Sequence, residues 1–219
     1  MRLNRLIKKN LKTLSLFYGP AVLLLAALSI QDKVPLSFLT RDPAQITNQP
    51  FYMGFMSSLG IICWSASASV ALLAAVLVYR VDDRKLYARF LFVSGLLSLG
   101  LMADDWLLIH ERLGPENLHI PQPVIAGAYA VIFAGYLVIF RRVIAETDYM
   151  FLLFAFGFLG LSLVVDTLGD VNSEMKSLAM EDGPKFLGIV SWLAYFTVTA
   201  LQQVEQSRNV PVDHVVCQH

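Results

Sequence analysis

FLFVSGLLSLGLMADDWLLIHE, residues 90–111, begins as an apolar helix and ends in four ionisable side chains, Asp104, Asp105, His110 and Glu111. Its first part is long and continuous, without the period-two alternation of a barrel strand, so it reads as a helix that enters hydrocarbon. Five further runs of the same kind occur, and with it they cover about 14–30, 52–79, 88–109, 123–140, 150–168 and 185–203. Each approaches the ~20 residues that cross roughly 30 Å of hydrocarbon. With 56% hydrophobic and only 16% charged residues, the chain has more apolar surface than a soluble core of its size can bury. The expected fold is therefore all-α, a polytopic six-transmembrane-helix bundle. Its parts are a basic amphipathic leader at 1–13, a membrane domain at 14–204 and a short tail at 205–219.

Lys and Arg set the expected orientation. With the N-terminus inside, the cytoplasmic segments hold Arg2, Arg5, Lys8, Lys9, Lys12, Arg80, Arg84, Lys85, Arg89, Arg141, Arg142 and Arg208, and the outer ones hold Lys33, Arg41, Arg112, Lys176 and Lys185. That 12 to 5 split predicts both termini in the cytoplasm of a bacterial-type inner (plasma) membrane. The zero formal net charge hides this dipolar layout, because the acids run the other way, 6 inside and 11 outside. Residues 1–29 also fit a signal peptide, with Ala27-Leu28-Ser29 as a passable cleavage site, and are read here as a retained first span behind a basic surface segment. Cys63 in the second run and Cys217 in the tail fall on no common level and predict no disulfide. Nucleic-acid binding has no support, since the basic residues follow membrane topology.

The acids gather at the outer helix ends. Asp104 and Asp105 close the third helix, Asp166 and Asp170 lie four apart at the end of the fifth, and Glu181 and Asp182 precede Gly183-Pro184 at the start of the sixth. On a straight helix Asp104 and Glu111 nearly eclipse, Asp105 lies about 100° away, and His110 points to the opposite side. One straight helix therefore cannot bring the four to one atom. Carboxylates this close to hydrocarbon call for protons, cations or a metal to offset them. Candidate metal ligands are Asp104, His110, Glu111, Asp166, Asp170 and Asp182, for a divalent ion with Zn, Mn, Fe and Ca all open. Asp105 and Glu181 are candidate general bases, and Ser57, Ser58 and Lys185 supporting residues around them. A capping role for Asp182 and an i,i+4 pair of Glu181 with Lys185 are the plainer alternatives. Ser65 to Ser69 on the second helix, and Gly157 and Gly160 on the fifth, read as close-packing surfaces.

DDWLLIHE, VVDTLGD and EDGPKFLGIVSWLAYF together resemble a bacterial multipass membrane family with DD…HE and EDGxKxLG motifs. A looser likeness is to intramembrane hydrolases of the alkaline ceramidase and adiponectin-receptor type. It implies a metal-dependent site in which Asp104, Asp105, His110 and Ser57 or Ser58 take part. Those proteins have seven helices and several His ligands, whereas this chain has six runs and a single His, His110, at membrane level.

Three functions follow as expectations. The first is a metal-dependent hydrolase acting on a membrane lipid. The second is a non-catalytic subunit or scaffold that meets a protein partner within a membrane complex. The third is a cation- or proton-binding transporter or sensor, which the apolar cytoplasmic halves of the six runs disfavour.

Overall fold

The computed structural model describes residues 2–168 and 182–208, with the side chains of 2–10, 12, 13, 17, 82 and 166–168 excepted. The chain is all-helical, 85% helix, with no strand among the described residues. It divides into two compact units, Met1–Met53 and Gly54–His219.

In the first unit, α1 (Arg2–Ile30) runs unbroken through the expected junction between leader and first span, with Pro20 inside it. Two short helices follow, α2 (Leu36–Thr40) and α3 (Pro43–Ile46). Asp42 starts α3 by accepting the Ala44 N–H at 2.8 Å, with Pro43 at the first helical position, where its missing N–H leaves no bond unmade.

The second unit contains α4 (Phe55–Val78), a 3-10 turn (Asp82–Arg84), α5 (Lys85–Leu107), a π-helical segment (Ile109–Asn117), α6 (Gln122–Ala145), α7 (Met150–Leu168) and α8 (Gly183–Arg208). Four of these, α4, α5, α6 and α8, are long and apolar enough to cross a membrane. The apolar stretches Leu14–Ile30 and Met150–Val165, on the first and fifth expected spans, are shorter. α4 packs along α5 and α8, and α7 packs along α8.

Side-chain size is sorted in the reverse of a soluble bundle. α4 buries Gly60, Ser67, Ala68, Ala71, Ala74 and Ala75, yet leaves Ile62, Leu73 and Val76 more than half exposed. Small residues turned inward let helix axes approach, and large apolar residues turned outward suit a lipid solvent. The closest approaches need glycine. A Cβ on Gly95 would stand 2.6 Å from the Leu72 side chain, and one on Gly188 would stand 2.7 Å from the Leu159 side chain and 3.0 Å from the Leu159 backbone nitrogen. Gly157 and Gly160, read from sequence as packing positions, have nothing within 4 Å of such an atom. The helix contacts fall elsewhere on α7.

The interior is aromatic and, against its apolar composition, carries buried hydroxyls. Trp64 and Trp192 meet edge to face with centroids 5.8 Å apart, and Trp192, Tyr195, Phe90 and Phe196 are fully buried. Most of the polar tips find partners, Thr199 Oγ1 being a buried hydroxyl without one among the described residues. Trp192 Nε1–H donates to Ser98 Oγ at 2.9 Å, Ser94 and Tyr136 share a bond of 2.7 Å, and Thr147 and Tyr195 share one of 2.8 Å. With no water in hydrocarbon, such pairs fix helix register as well as satisfying the groups. At the end where α5 starts, Arg84 donates to Gln203 and Gln206 of α8, and Tyr87 donates to Glu146.

Gly188→Ala is expected to destabilise the α7–α8 packing by about 1–3 kcal/mol through overpacking against a backbone that cannot give way. Gly157→Ala is expected to leave the midpoint unchanged or slightly raised. Thermal unfolding of the two variants in one detergent checks this.

Candidate functional site

α5 terminates where the charged residues begin, and the manner of its ending builds the site. Leu108 takes a left-handed conformation (φ 51°, ψ 47°), and its N–H still bonds the Asp104 carbonyl. A branched residue in that conformation costs about 1–2 kcal/mol, so surrounding contacts must hold it there. Beyond Leu108 the chain winds as a π-helical segment, with Leu113 N–H reaching Leu108 O at 2.9 Å. Gly114 makes this wider turn compatible with α6, because a Cβ there would collide with Ile125 and stand 2.9 Å from the Ile109 carbonyl.

The break reverses the direction of His110. On a continued α-helix it would point away from Asp104; here its backbone N–H donates to Asp104 Oδ1 at 3.1 Å, and its ring Nδ1 lies 2.5 Å from Asp104 Oδ2. The Tyr129 hydroxyl of α6 donates to Oδ1 at 2.7 Å. Asp104, 4% exposed, thus has donors on both oxygens, the condition under which a buried carboxylate is tolerated.

Asp105 lies about 100° round the helix and serves a different pair of neighbours. Its Oδ1 is 2.9 Å from Lys185 Nζ of α8, and its Oδ2 accepts Trp64 Nε1–H of α4 at 2.8 Å. Adjacent carboxylates therefore tie α5 to α6 on one side and to α4 and α8 on the other. Glu111 completes the group less tightly, 3.6 Å from His110 Nε2 and 3.9 Å from Lys185 Nζ, with its side chain 43% exposed.

These residues close one end of a cavity of about 280 Å³. Asp104, Asp105, His110, Glu111, Tyr129 and Lys185 form its polar end, with Gln122 beside them. The remaining walls are apolar, including Leu101, Ala126, Phe133, Phe156, Leu159 and Leu163. The lining comes from the C-terminal parts of α5 and α7 and the N-terminal parts of α6 and α8, as expected where successive helices alternate in direction. Trp64 adds the α4 wall.

The sequence candidates divide accordingly. Asp104, Asp105, His110, Glu111 and Lys185 come together, and Lys185 lies at the centre of the group rather than outside it. Ser57 and Ser58 are exposed in the first turn of α4 and do not line the cavity, and Asp182 is exposed just before α8. The Asp166 side chain, Asp170 and Glu181 lie outside the described residues. Among the described residues no group of three or more His, Cys, Asp and Glu side chains is placed to hold a metal ion. The donor chemistry explains this: both oxygens of Asp104 and of Asp105 are spent on protein donors, leaving His110 Nε2 and Glu111 as near neighbours. Trp64, Tyr129 and Ser162 were missed. Polar-tipped aromatics within apolar runs need hydrogen-bond partners, and that requirement was the available signal for the first two.

The Asp104 carboxylate, hydrogen-bonded to the imidazole, raises the His110 pKa above its usual value, against burial, which lowers it. A raised pKa in the folded state means that the stabilisation from protonated His110 is complete below the unfolded value near 6.5 and is lost as pH rises through the raised one. Asp104→Asn is expected to bring the His110 titration back toward or below the ordinary histidine value, read by NMR of the ring-labelled protein. An unchanged titration would contradict the pairing.

No curated protein and no solved structure matches the sequence. A family model described as "Domain of unknown function (DUF8692)" matches residues 15–199, a span that includes every described cavity-lining residue. The chain therefore belongs to the DUF8692 family.

Proposed function

We propose that this chain is a six-helix protein of a bacterial inner (plasma) membrane, with both termini cytoplasmic, that holds an amphipathic membrane molecule in the cavity at its non-cytoplasmic end. The Lys and Arg distribution supports the orientation, and outward-facing Leu, Ile and Val side chains support the lipid setting. The observation that carries the functional reading is the cavity itself. Its apolar walls end in a cluster of paired charges, the arrangement that receives an alkyl chain along its length and a polar head at its end. A protein that needed the charges only to fasten helices together would gain nothing from a void beside them, since an empty cavity forfeits packing.

Gly160 gives a direct test, because it lines the cavity and a Cβ there meets open space. Gly160→Leu is expected to leave folding intact while lowering binding of single-chain amphiphiles at least tenfold, as counted by native mass spectrometry of the purified protein. Equal retention by wild type and variant would defeat the reading.

A second reading, hydrolysis of the bound amphiphile, is favoured by one specific contact. Asp104 holds His110 Nδ1, leaving Nε2 as the nitrogen able to take a proton from water or a substrate group. Asp105, an expected base, is instead committed to Lys185 and Trp64. If an ester or amide of a long chain is cleaved, His110→Gln is expected to lower the rate by about 10²–10⁴-fold, the usual contribution of a general base. Assays with and without added zinc, manganese, iron or calcium would assign a metal-dependent route, in which Asp166, Asp170 or Glu181 would have to supply ligands. Turnover by His110→Gln at the wild-type rate would eliminate this second reading.

A further inference from the structure

We infer that the molecule held in the cavity carries a cationic ammonium head on a single alkyl chain, with the Glu111 carboxylate as its counter-ion. This rests on the amphiphile-binding reading above and names its ligand class. The charges of the described residues at the polar end favour a cationic head. Asp105 and Lys185, 2.9 Å apart, neutralise each other, and Asp104 is matched by His110 at 2.5 Å when the ring is protonated. Glu111 is left over among the described lining residues, its distances of 3.6 Å to His110 and 3.9 Å to Lys185 being too long for hydrogen bonds. If the ring is neutral, the excess grows to two negative charges. An anionic head would meet an unmatched carboxylate in either case, whereas an ammonium would complete the pairing.

Two observations independent of the acids point to a guest. Ser162, 6% exposed, lines the same cavity and makes no side-chain hydrogen bond among the described residues, so its hydroxyl faces the space a guest would fill. The rings of Phe133 and Phe156, nearly perpendicular with centroids 5.5 Å apart, line the apolar part of the same cavity, where the alkyl chain of such a guest would lie. The volume of about 280 Å³ lies at the lower limit for small-molecule pockets and suits one chain rather than two.

The test uses the full chain in a neutral detergent at pH 7.5, with dodecylamine, dodecanol and dodecanoate as probes of equal chain length, each titrated by native mass spectrometry. Dodecylamine is expected to bind about tenfold more tightly than dodecanol, with dodecanoate weakest. Glu111→Gln, at a side chain 43% exposed and therefore tolerant of change, is expected to reduce dodecylamine to the dodecanol level without altering dodecanol. Dodecanoate bound as tightly as the amine, or a preference for amine that survives Glu111→Gln, overturns the inference. If all three probes bind equally and Gly160→Leu removes them all, the charged-head inference falls and the cavity reading stands. If none binds, both fall together.

Discussion

A carboxylate buried at the end of an apolar helix is the constraint around which this end of the molecule is organised. Asp104 needs donors that its own helix cannot supply, because every N–H near it is already committed to the α-helical ladder. The chain resolves this by breaking the ladder at Leu108 and folding the next segment back, so that the His110 N–H and ring reach Asp104 from one side and Tyr129 from another. The left-handed residue, the π-helical segment and Gly114 follow from that requirement. They form a strained connection that persists because the buried charge would otherwise be unpaired.

Asp105 extends the same logic laterally. A residue one step along the helix faces a different neighbour, and its pairing with Lys185 and Trp64 joins α8 and α4 to the end of α5. Together the two acids cross-link four helices at one level. The cavity beside them has a polar end that is mostly self-neutralised, with Glu111 and Ser162 as the groups that retain capacity for a guest. A binding site of this kind needs little reorganisation, since the buried pairs already hold the positions of its walls.

The bundle interior shows how apolar composition can conceal polar structure. Ser94, Ser98, Tyr136 and Tyr195 hardly alter the hydropathy of their helices, yet with Trp192 and with Thr147 of the α6–α7 turn they supply hydrogen bonds between elements through the buried core. Hydrogen-bonding groups therefore run through helix interiors whose composition is apolar. These bonds are separated by backbone carbonyls and an indole N–H, which donates a proton without relaying one, so the arrangement suits fastening of helices more than conduction.

Helical class and the position of Asp104, Asp105 and Glu111 at the end of their run were legible from sequence, because apolar run length and the position of a residue within a run are one-dimensional properties. The membership of Asp104, Asp105, Glu111 and Lys185 in one group followed from position within the runs alone. The direction of His110 did not, since a helical wheel assumes the continuity that Leu108 breaks. Nor did the choice of partners, in which Tyr129 and Trp64 outweigh Ser57 and Ser58: which side chain of a neighbouring helix reaches a carboxylate depends on rotation about that helix and on axis separation. Those are set by the packing at Gly95 and Gly188 and by the aromatic core. Composition and spacing thus determined what this protein places at its helix ends; only the tertiary structure decided which of those groups are spent on one another and which face an open cavity, because pairing in a low-dielectric interior depends on ångström-scale distance and direction.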